Sequence, residues 1–596
     1  MSEVIKTSAV KLTTPYGGKL VNLIASPKDR AGLVQKAKGL PSIQISFRSL
    51  HDLELLATGA FSPLDRFMGE KDYRSVLRDM RLADGTLFPI PITLPTESVD
   101  GLAPGEDLLL RGPWNEMLAI MRLEEIFSWD LNTEMTSVLG TTDSRHALAS
   151  EMHGWGPYYL SGPLTVFNLP RHHGFEDMMR TPAEVRAVLE DMGRENVIAF
   201  QPRHPMHRAH EALTKSAADE VNGLLLIQPV VGMSGPNDTE HITRVRCYQA
   251  LTDKYYDPAR TLLNLLPLAR RVAGPRAGLW HGIINRNYGA NYFFSGRDPH
   301  GPGRDSQGRE FYLSRDVQDL FRSHESEIGV RLLPHKEMVY LPGGNRYEES
   351  DRVMNGTEKY IRVSATNIIE ESLFQGKLLP EWFTHPEVAQ ILFEANPPKT
   401  RQGFCVWLTG LPSSGKSTIA EILMPMLMAA GRKVTFLDGD VVRTHLTKGL
   451  GFGKEDRITN ILRVGFVASE VVRHEGAVIC ALISPYASAR DQVRAMVGVE
   501  HFVEIFVDTP VIVCEKRDVK GMYSMAKNGK IKGFTGVDDA YELPRSPEIR
   551  VNTVTMTPEE SARQIMQFLV NKGFFPAGSQ RPSRPVRKTA AQTMNS

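Results

Sequence analysis

The stretch "GLPSSGKST", Gly410 to Thr418, has the spacing G-x-x-x-x-G-K-[ST]. Glycines at that spacing let backbone N–H groups wrap phosphates, a lysine reaches the β and γ phosphates, and the next hydroxyl ligates Mg²⁺. The apolar "FCVWLTG" before it reads as a strand and the residues after it as a helix, which is the context the motif requires. The expectation is an ATP site built from Gly410, Ser413, Ser414, Gly415, Lys416, Ser417 and Thr418. A second cluster is of another kind. "QPRHPMHRAH", residues 201–210, sets three histidines and two arginines at the start of a helix expected near Pro205. His207 and His210 are three apart and share a helix face. As metal ligands they need a third partner, and H-x-x-H is a weaker signature than H-E-x-x-H. As an anion clamp they need only a helix N-terminus and a nearby arginine such as Arg203.

A P-loop does not name the acceptor. In "VTFLDGDVVRTHL" a strand delivers Asp438 and Asp440 at its end, with Arg443 one turn on. A kinase needs a carboxylate to take the acceptor's proton or hold the metal, and a cation for an anionic acceptor. Taken alone, "DGD" reads equally well as a turn and a helix cap. "GLGFGKEDRITNILRVGF" adds Phe452 as a stacking plate, with Arg457 and Asn460, and "ICALISPY" is a buried strand running out into Ile483, Ser484 and Pro485. "RDVKGMYSMAKNGKIKGFTGVDD" is rich in Lys and Gly, as a lid closing over phosphates would be.

The elements that must position these residues follow from the rest of the chain. Its 596 residues exceed one core, so three or four domains are expected. With 70 basic against 69 acidic residues, the net charge of +1 argues against a general nucleic-acid or membrane binder and leaves room for local phosphate pockets. The four cysteines form no C-x-x-C pair, which suits a reducing cytoplasm. No apolar run approaches the roughly 20 residues of a membrane span, and the N-terminal stretch lacks an apolar signal core. Residues 1–170 mix short apolar runs with Gly and Pro and read as β-rich. From about 180 the pattern becomes α/β: Thr181-Pro182-Ala183-Glu184 is a capping box, "NVIAF" a buried strand, then the 201–210 loop, a helix and "GLLLIQPVV". That loop falls at the carboxyl end of a parallel strand, where α/β sheets bind ligands. "YFFSGRD" delivers Gly296 and Arg297 to the same edge. "EANPPKTRQG" reads as a polar linker, "TPEESARQIMQFLVNKG" as a capped helix, and the last twenty residues as a disordered tail.

The span of about 403–575 resembles adenylylsulfate (APS) kinase through "GLPSSGKST", "LDGDVVR", "GLGFGKEDR", "ISPY" and "KGFTGVD". That resemblance implies phosphorylation of the APS 3′-hydroxyl to give PAPS. It makes Asp440, with Asp438 and Lys416, the catalytic set, and Ser417 and Asp440 the Mg²⁺ ligands. It implies APS-binding roles for Arg443, Phe452, Arg457, Asn460, Ile483, Ser484, Gly533 and Phe534, with Phe452 and Phe534 sandwiching the adenine.

Residues 1–394 resemble ATP sulfurylase through "FSPLDRFMGEKDY", "QPRHPMHRAHEALTK", "TRVRCYQAL", "AGPRAGLWHGIINRNYGA" and "GRDPHGPG". Gln201, Arg203, His204, His207, His210, Gly296 and Arg297 then form the sulfurylase-like site, with sulfate and ATP as its substrates. The departures fall in its anion-handling loops. Pro202 and His204 stand where the family has a Thr-type residue and an Asn, Pro299 stands at a histidine's place, and Gly235 at a lysine's. The expectation is an α/β multidomain chain: a PUA-like β-rich domain (1–170), a Rossmann-like nucleotidyltransferase domain (171–330), a small connector (331–394), a P-loop kinase (395–575) and a tail (576–596). It is expected to be a cytoplasmic homo-oligomer with an active kinase and little or no sulfurylase activity.

Overall fold

The structure, a computed structural model, describes residues 11–172, 174–232, 241–294, 303–333, 336–353, 358–531 and 533–576. The chain divides into two compact units, Met1–Asn396 and Pro397–Ser596. The tail, 577–596, lies outside the described residues.

The first unit opens on β1 (Ser42–Gln44), β2 (Leu94–Thr96), β3 (Asp107–Arg111), β4 (Met117–Arg122), β5 (Glu125–Ser128), β6 (Tyr158–Ser161) and β7 (Leu164–Val166). They form two small sheets, ordered β1-β3-β4-β7 and β2-β6-β5. The β-rich reading misses helices here, chiefly Phe47–Ala57, which buries nine of its eleven residues. A helix covered on nearly all sides has no clean amphipathic period to read. Its charges survive burial by pairing: Asp52 accepts both terminal nitrogens of Arg271 at 2.9 and 2.7 Å, with the two side chains 1% and 4% exposed. Asp52→Asn leaves that guanidinium without its counter-charge in the interior and should cost about 3–5 kcal/mol in denaturant unfolding. A loss under about 1 kcal/mol, the scale of a surface pair, would contradict this account.

A five-stranded parallel sheet follows, built from β8 (Val197–Phe200), β9 (Leu224–Ile227), β10 (Thr261–Leu263), β11 (Tyr292–Phe294) and β12 (Arg331–Leu333), in the order β10-β9-β8-β11-β12. β8 and β9 are buried at every position, as strands covered on both faces must be. The strand order turns back between β8 and β11, which puts the crevice for ligands outside their carboxyl ends. The sheet runs past residue 330, since β12 is its edge. The helix Pro182–Asp191 carries the expected capping box at Thr181 and Glu184. β13 (Met338–Leu341), β14 (Arg346–Glu349) and β15 (Ile361–Arg362) make a small antiparallel sheet, and the helix Pro386–Ala395 closes the unit.

The second unit is a parallel sheet of β16 (Phe404–Thr409), β17 (Val434–Asp438), β18 (Ala477–Ala481), β19 (Phe502–Val507) and β20 (Ile549–Val551), ordered β17-β18-β16-β19-β20. Central β16 feeds the P-loop. The helix Pro558–Asn571 has the expected Thr557/Glu560 box and buries Ala562, Ile565, Met566 and Leu569. The stretch read as a polar linker differs from that expectation. Glu394 and Ala395 finish a helix, and Thr400–Gln402 are fastened to the second unit. Arg432 donates to the carbonyls of Thr400 at 2.5 Å, Gln402, and Glu475 at 3.1 Å, and lies 5.0 Å over the Phe404 ring. Polar composition shows nothing of acceptors thirty residues away in sequence from their donor.

Candidate active sites

The P-loop needs left-handed backbone at Ser413 (φ 58°) and Gly415 (φ 106°). At Gly410 a Cβ would sit 2.6 Å from the Val507 carbonyl oxygen, so only glycine fits. From behind, Ser414 O accepts from Thr509 Oγ1 at 3.0 Å, Thr553 Oγ1 at 3.1 Å and Arg517 Nη1 at 3.3 Å. Those three supports come from strand ends and a helix end far along the chain, and no local motif announces them. Lys416 Nζ lies over the loop, donating to Leu411 O at 2.7 Å and Gly410 O at 3.1 Å. Burial pushes its pKa down to about 8, and the positive charge of Lys520 adds to the shift. The ammonium is therefore charged below about pH 8 and loses its charge above it. Affinity for an MgATP analogue should weaken as pH rises from 7 to 9, and a flat dissociation constant over that range would rule out this titration.

Asp438 Oδ2 accepts from Ser417 Oγ at 2.7 Å, and its Oδ1 caps the following helix, Gly439–His445, by accepting from Asp440 N at 3.0 Å. "DGD" is therefore a helix cap and a site feature at once. The structure groups Ser417 with Asp438, whereas the sequence reading paired it with Asp440. The Asp440 carboxylate, 70% exposed, instead meets Lys520 Nζ. Lys520 was not singled out in sequence; its signal was its place at the head of the Lys- and Gly-rich stretch.

The expected acceptor residues cluster at the same sheet edge, with some differences. The Arg443 guanidinium lies 4.3 Å over the Phe452 ring, which is 54% exposed. Burial, reinforced by the charge of Arg457, holds the pKa of Arg443 below the usual arginine range. Arg457 is buried and gives its donors to Phe452 O at 2.7 Å, Asp539 Oδ2 at 3.1 Å, Thr535 Oγ1 and Gly533 O. Asn460 Oδ1 accepts from Thr447 Oγ1 at 2.7 Å. Phe534 is buried and stands edge-on to Tyr523 at 5.0 Å, so its ring is packed while that of Phe452 is open. Ser484 holds φ 41°, a left-handed conformation that costs a serine free energy and persists only where neighbours enforce it. Here Trp407 Nε1 donates to its Oγ at 3.1 Å, its Oγ donates to Thr409 Oγ1 at 2.9 Å, and Arg490 Nη1 donates to its carbonyl at 2.6 Å. Arg490 is itself held by Glu504 at 2.9 Å, and Thr409 Oγ1 donates to Ile483 O at 2.8 Å.

In the first unit the helix after β8 is Arg208–Glu220, with His207 as its N-cap, so it starts three residues later than expected. The His207 and His210 rings stack at 3.8 Å, and His207 packs 4.8 Å from Phe383. Desolvation, with His210 beside it, pushes the pKa of His207 well below the ordinary value. It is therefore a neutral ring, and an anion here would meet its hydrogen-bonding nitrogens rather than a cation. Among the described residues no group of three His, Cys, Asp or Glu is arranged to hold a metal. Gln201 Oε1 is held at 2.6 Å by His281 Nδ1, a ring whose pKa burial pushes down to about 3. His281 sits in "AGPRAGLWHGIINRNYGA", which carries the resemblance to ATP sulfurylase but in which nothing singles out this histidine. The His204 side chain is exposed, while its carbonyl accepts from Tyr248 OH at 3.0 Å. Gly235, Gly296, Arg297 and Pro299 lie outside the described residues.

Comparison with known proteins matches residues 13–169 to the PUA-like domain, 176–395 to ATP-sulfurylase and 402–552 to adenylylsulphate kinase. Proteins named sulfate adenylyltransferase are similar over almost the whole chain. That of Coccidioides immitis (strain RS) is 41% identical over 569 residues, 94% of this chain and 99% of its own. That of Yarrowia lipolytica is 41% identical over 571 residues, again 94% and 99%. Among solved structures, the hexameric APS kinase from Thiobacillus denitrificans covers 95% of this chain and 100% of its own, with 33% identity and a TM-score of 0.63. Among the described residues no helix is long and apolar enough to cross a membrane. A PUA-like domain, a nucleotidyltransferase sheet with its ligand crevice and a complete P-loop kinase, in this order and in full-length relatives, make the chain a member of the family in which ATP sulfurylase is fused to APS kinase.

Proposed function

We propose that the second unit transfers the γ-phosphoryl group of ATP to the 3′-hydroxyl of APS, giving PAPS and ADP. The observation that carries this reading is the convergence of Lys416, the Ser417–Asp438 pair and the Asp440–Lys520 pair at the carboxyl ends of β16 and β17. Lys416 and the P-loop N–H groups bind the β and γ phosphates. The Ser417 hydroxyl and the Asp438 carboxylate suit Mg²⁺, an oxygen-seeking cation, which when bound neutralises charge on the phosphate oxygens. Asp440 is then left to accept the proton of the acceptor hydroxyl. Lys520 balances that carboxylate until an anionic group arrives to draw it off. Arg443 attracts the anionic end of APS, while Phe452, Phe534, Gly533, Ile483 and Ser484, with Arg457 and Asn460 behind them, form the acceptor wall. ADP formation that depends on APS and MgATP, assayed on the full chain, tests the reading. It is overturned if APS is ignored while another hydroxylated metabolite is phosphorylated.

For residues 1–394 we propose a scaffold that keeps the shape of a nucleotidyl site and little sulfate adenylylation. This rests on His204, Pro299 and Gly235 in the anion-handling loops. The names of the 41%-identical relatives favour a second reading, in which this unit makes APS from ATP and sulfate and the chain is bifunctional. Molybdate-dependent pyrophosphate release from ATP, run beside the kinase assay on one preparation, separates the two. The hexameric APS kinase from Thiobacillus denitrificans, similar over the full length, supports assembly of several copies, which sedimentation would count.

A further inference from the structure

One polar side chain behind the acceptor wall belongs to none of the motifs. Thr447 is 1% exposed, and its Oγ1 lies 2.7 Å from Asn460 Oδ1. A hydroxyl has one proton to give. Its alternative acceptor, Val442 O, is 3.5 Å away and already accepts the backbone N–H of Leu446 at 2.8 Å and of Thr447 at 3.0 Å. The proton therefore goes to Asn460. That contact decides which end of the amide is which: Oδ1 faces Thr447, and Nδ2 is turned away from it. Among the described residues no acceptor takes a proton from Nδ2.

The position of Thr447 gives the contact its reach. It stands two residues past the helix Gly439–His445, which carries Asp440 and Arg443, and its partner lies on the helix Lys454–Arg473, one turn beyond Arg457. A single hydroxyl thus ties together the two helices that handle the acceptor. It also presets an amide donor, so that no flip has to be selected when substrate arrives.

We propose that Thr447 is a positioning residue for APS, acting through Asn460 to hold its Nδ2 donor toward the acceptor site. The proposal rests on reading the second unit as an APS kinase. Thr447→Val keeps the shape, removes the hydroxyl and leaves Asn460 Oδ1 without its donor. In the full-length chain the KM for APS should rise about tenfold, the scale of one hydrogen bond. A role in substrate positioning also requires that kcat stay within about threefold and the KM for MgATP within about twofold. Thr447→Ser, which restores the hydroxyl, should return the APS KM to the wild-type range. An unchanged APS KM in the valine variant overturns the proposal. So does an equal rise in both KM values, or a serine variant that behaves like valine. If the wild-type chain does not phosphorylate APS at all, the functional reading fails instead, and the two failures are distinct.

Discussion

Lys416→Ala and Asp440→Ala should each lower the rate of APS phosphorylation by at least about 10²-fold, the scale of losing a positioned charge or a general base. The two losses should differ in kind. Lys416 lies over the P-loop carbonyls, so its removal should weaken binding of an ATP analogue as well as turnover. Asp440 is 70% exposed at the start of a short helix whose cap, Asp438, it does not supply, so its removal should leave the fold and ATP binding close to wild type. Asp438→Ala takes away both the cap and the Ser417 partner and should combine a stability loss of about 1 kcal/mol with loss of Mg²⁺-dependent turnover. An Asp440→Ala enzyme with near-normal turnover would refute the role given to that carboxylate.

On the scaffold reading proposed above, sulfate adenylylation by the first unit should lie near background. A misplacement of about 1 Å at a reacting centre can cost on the order of 10²-fold, and a missing anion-stabilising donor roughly 3 kcal/mol more. On that reading such losses come from the residue types that change in the 201–210 loop, Pro202 and His204. His204, standing at the family's asparagine, is exposed, while His207 and His210 keep the family's residue types. Pyrophosphate release at a rate comparable to the kinase would sink the reading at once and establish the bifunctional one. Recovery of activity in a chain carrying His204→Asn, with Pro299-His300 changed to His-Ala, would localise the loss to these two loops. Removing the first unit should impair assembly or the kinase's stability rather than its chemistry.

Motifs that act through local backbone were legible in the sequence. "GLPSSGKST" needs only a strand before it and a helix after it, and both capping boxes, at Thr181 and Thr557, are recorded in residues three apart. What could not be read is long-range. Phe47–Ala57 hides its helical period because it is buried on nearly all sides. The Thr509–Thr553–Arg517 support of Ser414 joins residues up to 139 positions apart, and the Gln201–His281 contact spans 80. The pairing of Ser417 with Asp438 was open to Asp440 as well, because two carboxylates two residues apart look alike until a helix cap sets their directions. The Arg432 fastening was missed for a simpler reason, since polar, proline-bearing chain reads as linker wherever it is held by carbonyls rather than side chains.

That fastening bears on how the second unit responds to traction. β16 is the central strand, and it delivers the P-loop. The chain just upstream of it is pinned by two carbonyl bonds to Arg432, from Thr400 and Gln402, while Lys399 lies 4.7 Å over the Phe574 ring. A pull applied at Pro397, whether by an unfoldase engaging from that side or by a tethered bead, has to shear these bonds before any load reaches β16. The nucleotide loop is thus sheltered behind a mechanical anchor. With Arg432→Ala the same force would act directly on the strand that carries the phosphates.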